Sequence, residues 1–304
     1  MDNNTQTKPF RSGFVALVGR PNTGKSTLLN ACMGKRVAIT TPVAQTTRKR
    51  MRAVITTEEA QLIIVDTPGI HKPKDALGKE LNKSALAELK DVDVAAMMID
   101  ATMPVGTGDA WVARQLQASH AHHILVITKA DLADQKKIEE QIAAATALAD
   151  FEDVIVVSAK ENFNVDAFEH TVAKYLPEGP KWFPDDMTID VSDEELVAEF
   201  VREKVLLNTS EEVPHSVGVV CDDIEWGKKN HASIYATIMV EREGQKGIII
   251  GKGGKMIKRI GSAARKDLEK LFDCTVYLDL KVKVAPMWRR DINEIKRMGY
   301  VSED

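Results

Sequence analysis

The residues best placed to do chemistry begin at Gly19. The run Gly19-Arg20-Pro21-Asn22-Thr23-Gly24-Lys25-Ser26 has the G-x-x-x-x-G-K-[ST] spacing of a phosphate-binding loop. Its glycines let backbone N–H groups turn inward around a phosphate with no Cβ in the way. Lys25 is placed to reach terminal phosphates and the Ser26 hydroxyl to hold Mg²⁺. Thr27 opens a helical run whose N-terminal donors and dipole favour an anion. An apolar run at 14–18 precedes the loop and reads as a buried strand, which gives the strand–loop–helix setting this chemistry requires.

Further segments narrow the ligand. Asp66-Thr67-Pro68-Gly69 follows an apolar run at 62–65. An acid at that strand end can bind Mg²⁺ through water, and the Gly69 N–H can meet a terminal phosphate and swing away when it leaves. Thr128-Lys129-Ala130-Asp131 follows the run at 124–127. The Asp131 carboxylate can accept from the N1–H and 2-amino group of guanine. Adenine lacks that donor pair, so a buried acid here rejects ATP. Ser158-Ala159-Lys160 follows the run at 154–157, where a backbone N–H could meet the guanine O6. Within Gln45-Thr46-Thr47-Arg48, one threonine hydroxyl could complete a Mg²⁺ shell only when a γ-phosphate is present.

These segments need a sheet to bring them together. Strands expected at 14–18, 62–65, 94–99, 124–127 and 154–157 alternate with helices at 77–89, 110–117, 138–148 and 165–175. Buried runs alternating with helices imply an α/β, doubly wound and mainly parallel sheet, whose ligands sit at the carboxyl ends of strands. A proline-rich acidic stretch then interrupts the pattern. Beyond it, a helix at 194–207, strands at 215–224 and 233–240, a helical stretch to about residue 272 and a strand at 276–284 imply a separate small α+β fold. The expected division is a tail at 1–11, a nucleotide domain at 12–178, a linker at 179–192, a second domain at 193–288 and a tail at 289–304.

The second domain holds another glycine loop, Ile250-Gly251-Lys252-Gly253-Gly254-Lys255, read as lying between a strand and a helix. Residues 246–297 carry 14 Lys and Arg against 6 Asp and Glu, a local +8 on a chain of net −4. A basic region on an acidic protein is an electrostatic footprint for nucleic acid. Glycines admit a sugar–phosphate backbone closely, and Lys252, Lys255, Lys258 and Arg259 supply charge. Ile250, Ile257 and Ile260 are expected to floor the site for unstacked bases. Trp288-Arg289-Arg290 adds aromatic and basic groups that could meet RNA, with Trp288 as an internal packing residue the equal alternative.

Other chemistries are weaker. His120, His122 and His123 have no carboxylate or cysteine at ligand spacing. Cys32, Cys221 and Cys274 are odd in number and far apart, which argues against a disulfide framework and for a reducing, cytoplasmic setting. No apolar run approaches the roughly 20 residues that span a bilayer.

Residues 14–176 resemble the translation-factor-like GTPases. The resemblance implies phosphate binding by Gly19, Asn22, Thr23, Gly24, Lys25, Ser26, Thr27 and Gly69. It implies Mg²⁺ at Ser26, Thr47 and Asp66, and guanine recognition by Thr128, Lys129, Asp131, Ser158, Ala159 and Lys160. Thr47 is favoured as the first switch threonine, with Thr46 the alternative. Two departures stand out. Thr128 replaces the usual Asn of the guanine segment, which implies weaker affinity with unchanged base choice. Ile70 occupies the place where Ras-like enzymes carry a water-orienting Gln, so intrinsic turnover should be slow. Asn22 in a G-x-P-N-x-G-K-S loop is shared with potassium-stimulated members, which makes K⁺ a candidate cation.

The second domain resembles a KH module of the prokaryotic element order, which implies RNA contacts at Ile250, Gly251, Lys252, Gly253, Gly254, Lys255, Lys258 and Arg259, with Arg289 and Arg290 beyond. One G domain followed by a KH domain resembles the Era family, bacterial GTPases of small-subunit assembly. That resemblance implies GTP and GDP as ligands, a monomer, and binding near the 3′ end of small-subunit ribosomal RNA on the small ribosomal subunit. It also implies peripheral contact with the inner face of the membrane. The competing reading is an RNA-binding module whose G domain senses nucleotide with little hydrolysis.

Overall fold

The computed structural model describes residues 9–43, 46–69, 75–228 and 230–300. Gln45 and Ile70 therefore lie outside the described residues. The chain divides into two compact units.

In the first unit, β1 (Arg11–Val18) leads through the phosphate loop into α1 (Lys25–Cys32). Then come β2 (Met51–Thr56), β3 (Ala60–Asp66), α2 (Ala76–Glu88, of which residues 76–83 fall in the second unit), β4 (Val94–Asp100), α3 (Thr107–Leu116), β5 (His122–Thr128), α4 (Gln135–Thr146), β6 (Asp153–Val156) and α5 (Val165–Ala173). The sheet order is β2-β3-β1-β4-β5-β6, with every pairing parallel except β2 with β3. Strands β3 and β4 are buried along their whole length, as covered parallel strands must be, which is why they read as unbroken aliphatic runs. The carboxyl ends of β1, β3, β5 and β6 carry the phosphate loop, Asp66, Thr128 and Ser158.

The stretch expected as a linker is docked rather than free. Val54 N–H donates to the Thr188 carbonyl and Asp190 N–H to the Arg52 carbonyl, so residues 188–190 extend the β2 edge. The buried Gln61 side chain accepts from the Trp182 and Phe183 N–H groups, at 2.8 and 3.0 Å, and donates to the Phe183 carbonyl. An exposed sheet edge is thereby paired.

The second unit contains α6 (Asp193–Asn208), the short α7 (Val213–Ser216), β7 (Gly218–Gly227), β8 (His231–Val240), α8 (Glu243–Ile250), α9 (Lys255–Phe272), β9 (Thr275–Val284) and α10 (Ile292–Arg297). Strand β8 is central, antiparallel to β7 and parallel to β9. Helix α6 is capped by Ser192, whose hydroxyl accepts from the Glu195 N–H, and carries three acids in its first turn. Ile260, Ala264 and Leu268, spaced by four along α9, pack with Val197, Phe200, Val201 and Val205 of α6 over the inner face of the sheet.

Two segments within the expected 12–178 domain belong to this second unit by packing: the described residues of 36–49 and residues 75–83. Ile39 is part of its α6–β8 core, and Leu77 and Leu81 pack with Met239, Trp288, Ile295, Met298 and Tyr300. The segment carrying Thr46 and Thr47 is thus structurally part of the second unit.

Candidate functional site

The phosphate loop has the backbone its sequence calls for. Asn22 and Gly24 both have positive φ, at 66° and 92°. A Cβ on Gly19 would lie 2.7 Å from the Met98 carbonyl, so only glycine fits beside β4. Lys25 lies beneath the loop, its Nζ donating to the Arg20 carbonyl at 2.9 Å and the Gly19 carbonyl at 3.3 Å. Burial pushes its pKa down to about 8, against the pull of the nearby Asp66 carboxylate. A poorly solvated ammonium held by carbonyl acceptors is primed for an anionic ligand.

The Ser26 hydroxyl donates to Asp66 Oδ2 at 2.7 Å, and Asp66 is wholly buried. A hydroxyl and a carboxylate side by side are the hard oxygen donors Mg²⁺ prefers, so the pair fits that ion. Gly69 lies against the loop, its position for a Cβ 3.0 Å from the Pro21 nitrogen.

A cavity of about 190 Å³ adjoins the loop; Gly24 and Thr27 of the expected phosphate set line it together with the expected guanine residues Thr128, Lys129, Asp131, Ala159 and Lys160, walled by Leu28, Leu132 and Val157. The Thr128 hydroxyl reaches the Thr23 carbonyl at 2.7 Å and the Ile99 carbonyl at 3.1 Å. It keeps the tie to the phosphate loop that the missing amide would supply. Asp131 is held by the Ser158 hydroxyl, 2.6 Å from its Oδ1. It is exposed at the rim in the short 3₁₀ turn Ala130–Leu132, not buried as base selection suggested.

Sequence reasoning passed over Asp100. It ends β4 and accepts from Lys129 Nζ at 2.6 Å and from the Thr102 N–H and hydroxyl at 2.8 and 2.6 Å. Burial raises its pKa, but these bonds outweigh it and hold the carboxyl below the usual range. The clue was its place at a strand end beside the guanine segment.

In the second unit the glycine loop joins two helices, α8 and α9, which corrects the strand–loop–helix expectation. The Gln245 side-chain oxygen Oε1 caps the start of α8 by accepting from the Glu241 and Arg242 N–H groups. Gly251, Gly253 and Gly254 all have positive φ, and a Cβ on Gly251 would meet Met256 at 2.7 Å. Lys252, Lys255, Lys258 and Arg259 are exposed. Ile250 and Ile257 are half-buried beside them, whereas Ile260 is a core residue of α9 and floors nothing.

Trp288 is also internal: it is fully buried, with Nε1–H donating to the Ser216 carbonyl at 2.9 Å. Arg289 is engaged by Glu241 at 2.9 Å and Asp75 at 3.3 Å, and Arg290 is exposed. Of the histidines, His122 pairs with Glu152 at 3.2 Å and His123 with Ser119 at 3.1 Å. No helix among the described residues is long and apolar enough to cross a membrane.

Comparisons with known proteins match this geometry. Residues 14–129 match the 50S ribosome-binding GTPase family and residues 212–289 the KH domain family. Among solved structures, Era in complex with MgGDPNP and nucleotides 1506–1542 of 16S ribosomal RNA is 40% identical, with a TM-score of 0.93 over 96% of this chain and 100% of that one. A point variant of Aquifex aeolicus Era bound to GDP·AlF4⁻ is also 40% identical, with a TM-score of 0.92 over the same shares. With a phosphate loop, a guanine cleft and a G-x-x-G module aligned to those proteins over nearly its full length, the chain belongs to the Era family of GTPases.

Proposed function

We propose that this protein is a GTP-binding, slowly hydrolysing switch. It binds small-subunit ribosomal RNA near the 3′ end and acts in maturation of the small subunit. The observation that carries the proposal is the pairing, in one chain, of the Ser26–Asp66 couple with a helix–loop–helix G-x-x-G element. Both lie in a protein 40% identical over 96% of its length to an Era held with MgGDPNP and 16S RNA.

The phosphate-loop N–H groups and Lys25 neutralise the β- and γ-phosphates, and Asp131 with Ser158 selects guanine over adenine. Ser26, Asp66 and Thr47 are the residues that would hold Mg²⁺. That ion supplies electrostatic stabilisation of charge on the transferring phosphoryl group. The apolar Ile70 contributes no hydrogen bond to the attacking water, which leaves backbone groups or a monovalent cation such as K⁺ to orient it.

A single assay tests the reading. GTP hydrolysis by the full chain is measured with Mg²⁺, alone and with an RNA copy of the last nucleotides of 16S ribosomal RNA. Slow hydrolysis, together with RNA binding that depends on nucleotide, is expected. RNA binding with no turnover in either condition would favour the nucleotide-sensor alternative.

A further inference from the structure

The three-stranded sheet of the second unit has one face packed on α6 and α9 and another that is only partly covered. Along β8, Ala232, Ile234, Ala236 and Ile238 are buried in the core, so Ser233, Tyr235 and Thr237 point the other way. At the carboxyl end of β8 this outer face is closed, because Met239 packs with Trp288, Ile295 and Met298. The end that carries Tyr235 is accessible. Tyr277 of β9 is 54% exposed there, and Asp223 and Glu225 of β7 are exposed.

Strand register gathers acids on this accessible end. Asp223 of β7 and Asp279 of β9 stand opposite Tyr235 on its two sides, and Glu225 and Tyr277 stand opposite Ser233 in the next row. Strict alternation would send Asp222 and Asp223 to opposite faces. A bulge between Cys221 and Asp223 breaks the alternation. Asp222 Oδ2 accordingly accepts from the Thr237 hydroxyl at 2.7 Å, on the same face as Asp223. The rings of Tyr235 and Tyr277 lie 6.5 Å apart at 68°, edge to face. Glu225 foremost, then partial burial, Tyr277, Asp279 and Asp223, push the phenol of Tyr235 above its ordinary value. Asp223, Glu225 and Asp279 form no salt bridge among the described residues. Lys281, opposite Thr237, and Lys228, in the β7–β8 turn, stand at the margins.

That chemistry selects an occupant. Carboxylates repel the phosphates of RNA. The described residues hold no group of three or more His, Cys, Asp or Glu able to ligate a metal, so these acids are too dispersed for one divalent ion. A row of side-chain cations fits instead. Each ammonium or guanidinium meets a carboxylate, and the two phenol rings offer π faces to it. We propose that the outer face of the β7-β8-β9 sheet, at Asp223, Glu225, Tyr235, Tyr277 and Asp279, docks an extended Lys- and Arg-rich segment of a partner protein. Helices α8 and α9, which carry the glycine loop, pack on the inner face through Ile249 and Ile260, so RNA affinity is a separate reading.

The test uses the full chain and a fluorescent peptide of about nine residues in which Arg or Lys alternates with Ser, so that an extended chain turns every cation to one side. Wild type should bind it, more weakly as salt rises. Asp223→Asn with Asp279→Asn should lower affinity about tenfold, the size of two partly exposed charge pairs. Asp185→Asn with Asp186→Asn makes the same charge change in the first unit and should leave affinity unchanged. Tyr277→Phe keeps the ring and should hold affinity, whereas Tyr277→Ser should lose about threefold. Affinity for the 16S 3′-end RNA should fall in none of them.

Thermal unfolding checks that each variant is folded; if the Asp223 and Asp279 pair is not, Tyr277→Ser against Tyr277→Phe carries the test. Failure of the wild type to bind the peptide overturns the proposal. So do equal losses in the two charge-matched pairs, which would make net charge the cause. Loss of RNA affinity in Asp223→Asn with Asp279→Asn would assign the face to RNA. A wild-type dimer in sedimentation that the same variant disperses would make a second copy of this chain the occupant.

Discussion

The hydroxyl of Thr128 lies 2.7 Å from the backbone carbonyl of Thr23 and donates to it, joining the guanine segment to the phosphate loop. An Asn at this place would make the same tie with an amide and keep a second donor for the base. Thr128→Ala should therefore weaken GTP and GDP alike, by about tenfold, since a lost buried hydrogen bond costs about 1–2 kcal/mol. Thr128→Asn should tighten both. Equilibrium binding of a fluorescent GDP analogue checks the pair; a change confined to GTP would contradict the loop-support role.

Asp131 should set base choice although it stands exposed. Its carboxylate is acceptor-only, which suits the two donors of guanine. Asp131→Asn presents a donor to the guanine 2-amino group and should lower GTP affinity by about 100-fold or more, while improving binding of xanthosine triphosphate, whose 2-oxo group accepts. Competition between the two nucleotides reads this directly.

Turnover without partners should lie at about 10⁻⁴–10⁻² s⁻¹, the range of intrinsic GTPases that lack a completed water-positioning set. Replacing Na⁺ by K⁺ should raise it if a monovalent cation supplies the missing stabilisation through Asn22. Tens of turnovers per second from the isolated chain would show that the apolar Ile70 is no handicap.

Much of the first site was readable because its chemistry lies at ends of buried strands. Those strands announce themselves as aliphatic runs, and the turn residues after them carry the ligand groups. Strand β2 escaped notice. It is a short edge strand with Arg52 near its start, and it is completed by residues 188–190, far along the chain. Two buried cations were equally hidden. Arg48 and Arg202 are charged residues that ordinarily face water, and only tertiary packing shows them buried. Trp288 was open to two readings until the Ser216 carbonyl decided for the interior.

An ion-pair anchor of Arg36 should be sensitive to acid. Arg36 pairs with Glu203 and, at 2.6 Å, with Asp267, and Lys204 joins both acids. Burial raises the Asp267 pKa, yet Lys204 and Arg36 outweigh it and hold the carboxyl below its ordinary value. A depressed folded-state pKa contributes stability that is present above the unfolded value near 4 and is lost as pH falls through the folded value. Thermal unfolding from pH 7 to 3 should show that loss. Asp267→Asn should be about 2 kcal/mol less stable at pH 7 and should lose less on acidification. Parallel pH profiles for the two proteins would exclude Asp267 from the linkage.

The KH loop offers a way to separate the two activities. A Cβ on Gly253 would meet no heavy atom within 4 Å, and its φ of +60° is one Asp tolerates better than most residues. Lys252 beside it is exposed. The double variant Lys252→Asp, Gly253→Asp should therefore keep its fold while replacing one cation and one close backbone approach with two anions facing the phosphates. RNA affinity should fall more than tenfold. The dependence of log affinity on log salt should flatten by about 0.7 for the lost lysine contact, the single-strand value per phosphate. GDP affinity, set by the other unit, should not move. Filter binding across a salt series, paired with GDP titration, measures both. RNA affinity that survives the double substitution would place the RNA contact elsewhere on the basic surface of residues 246–297.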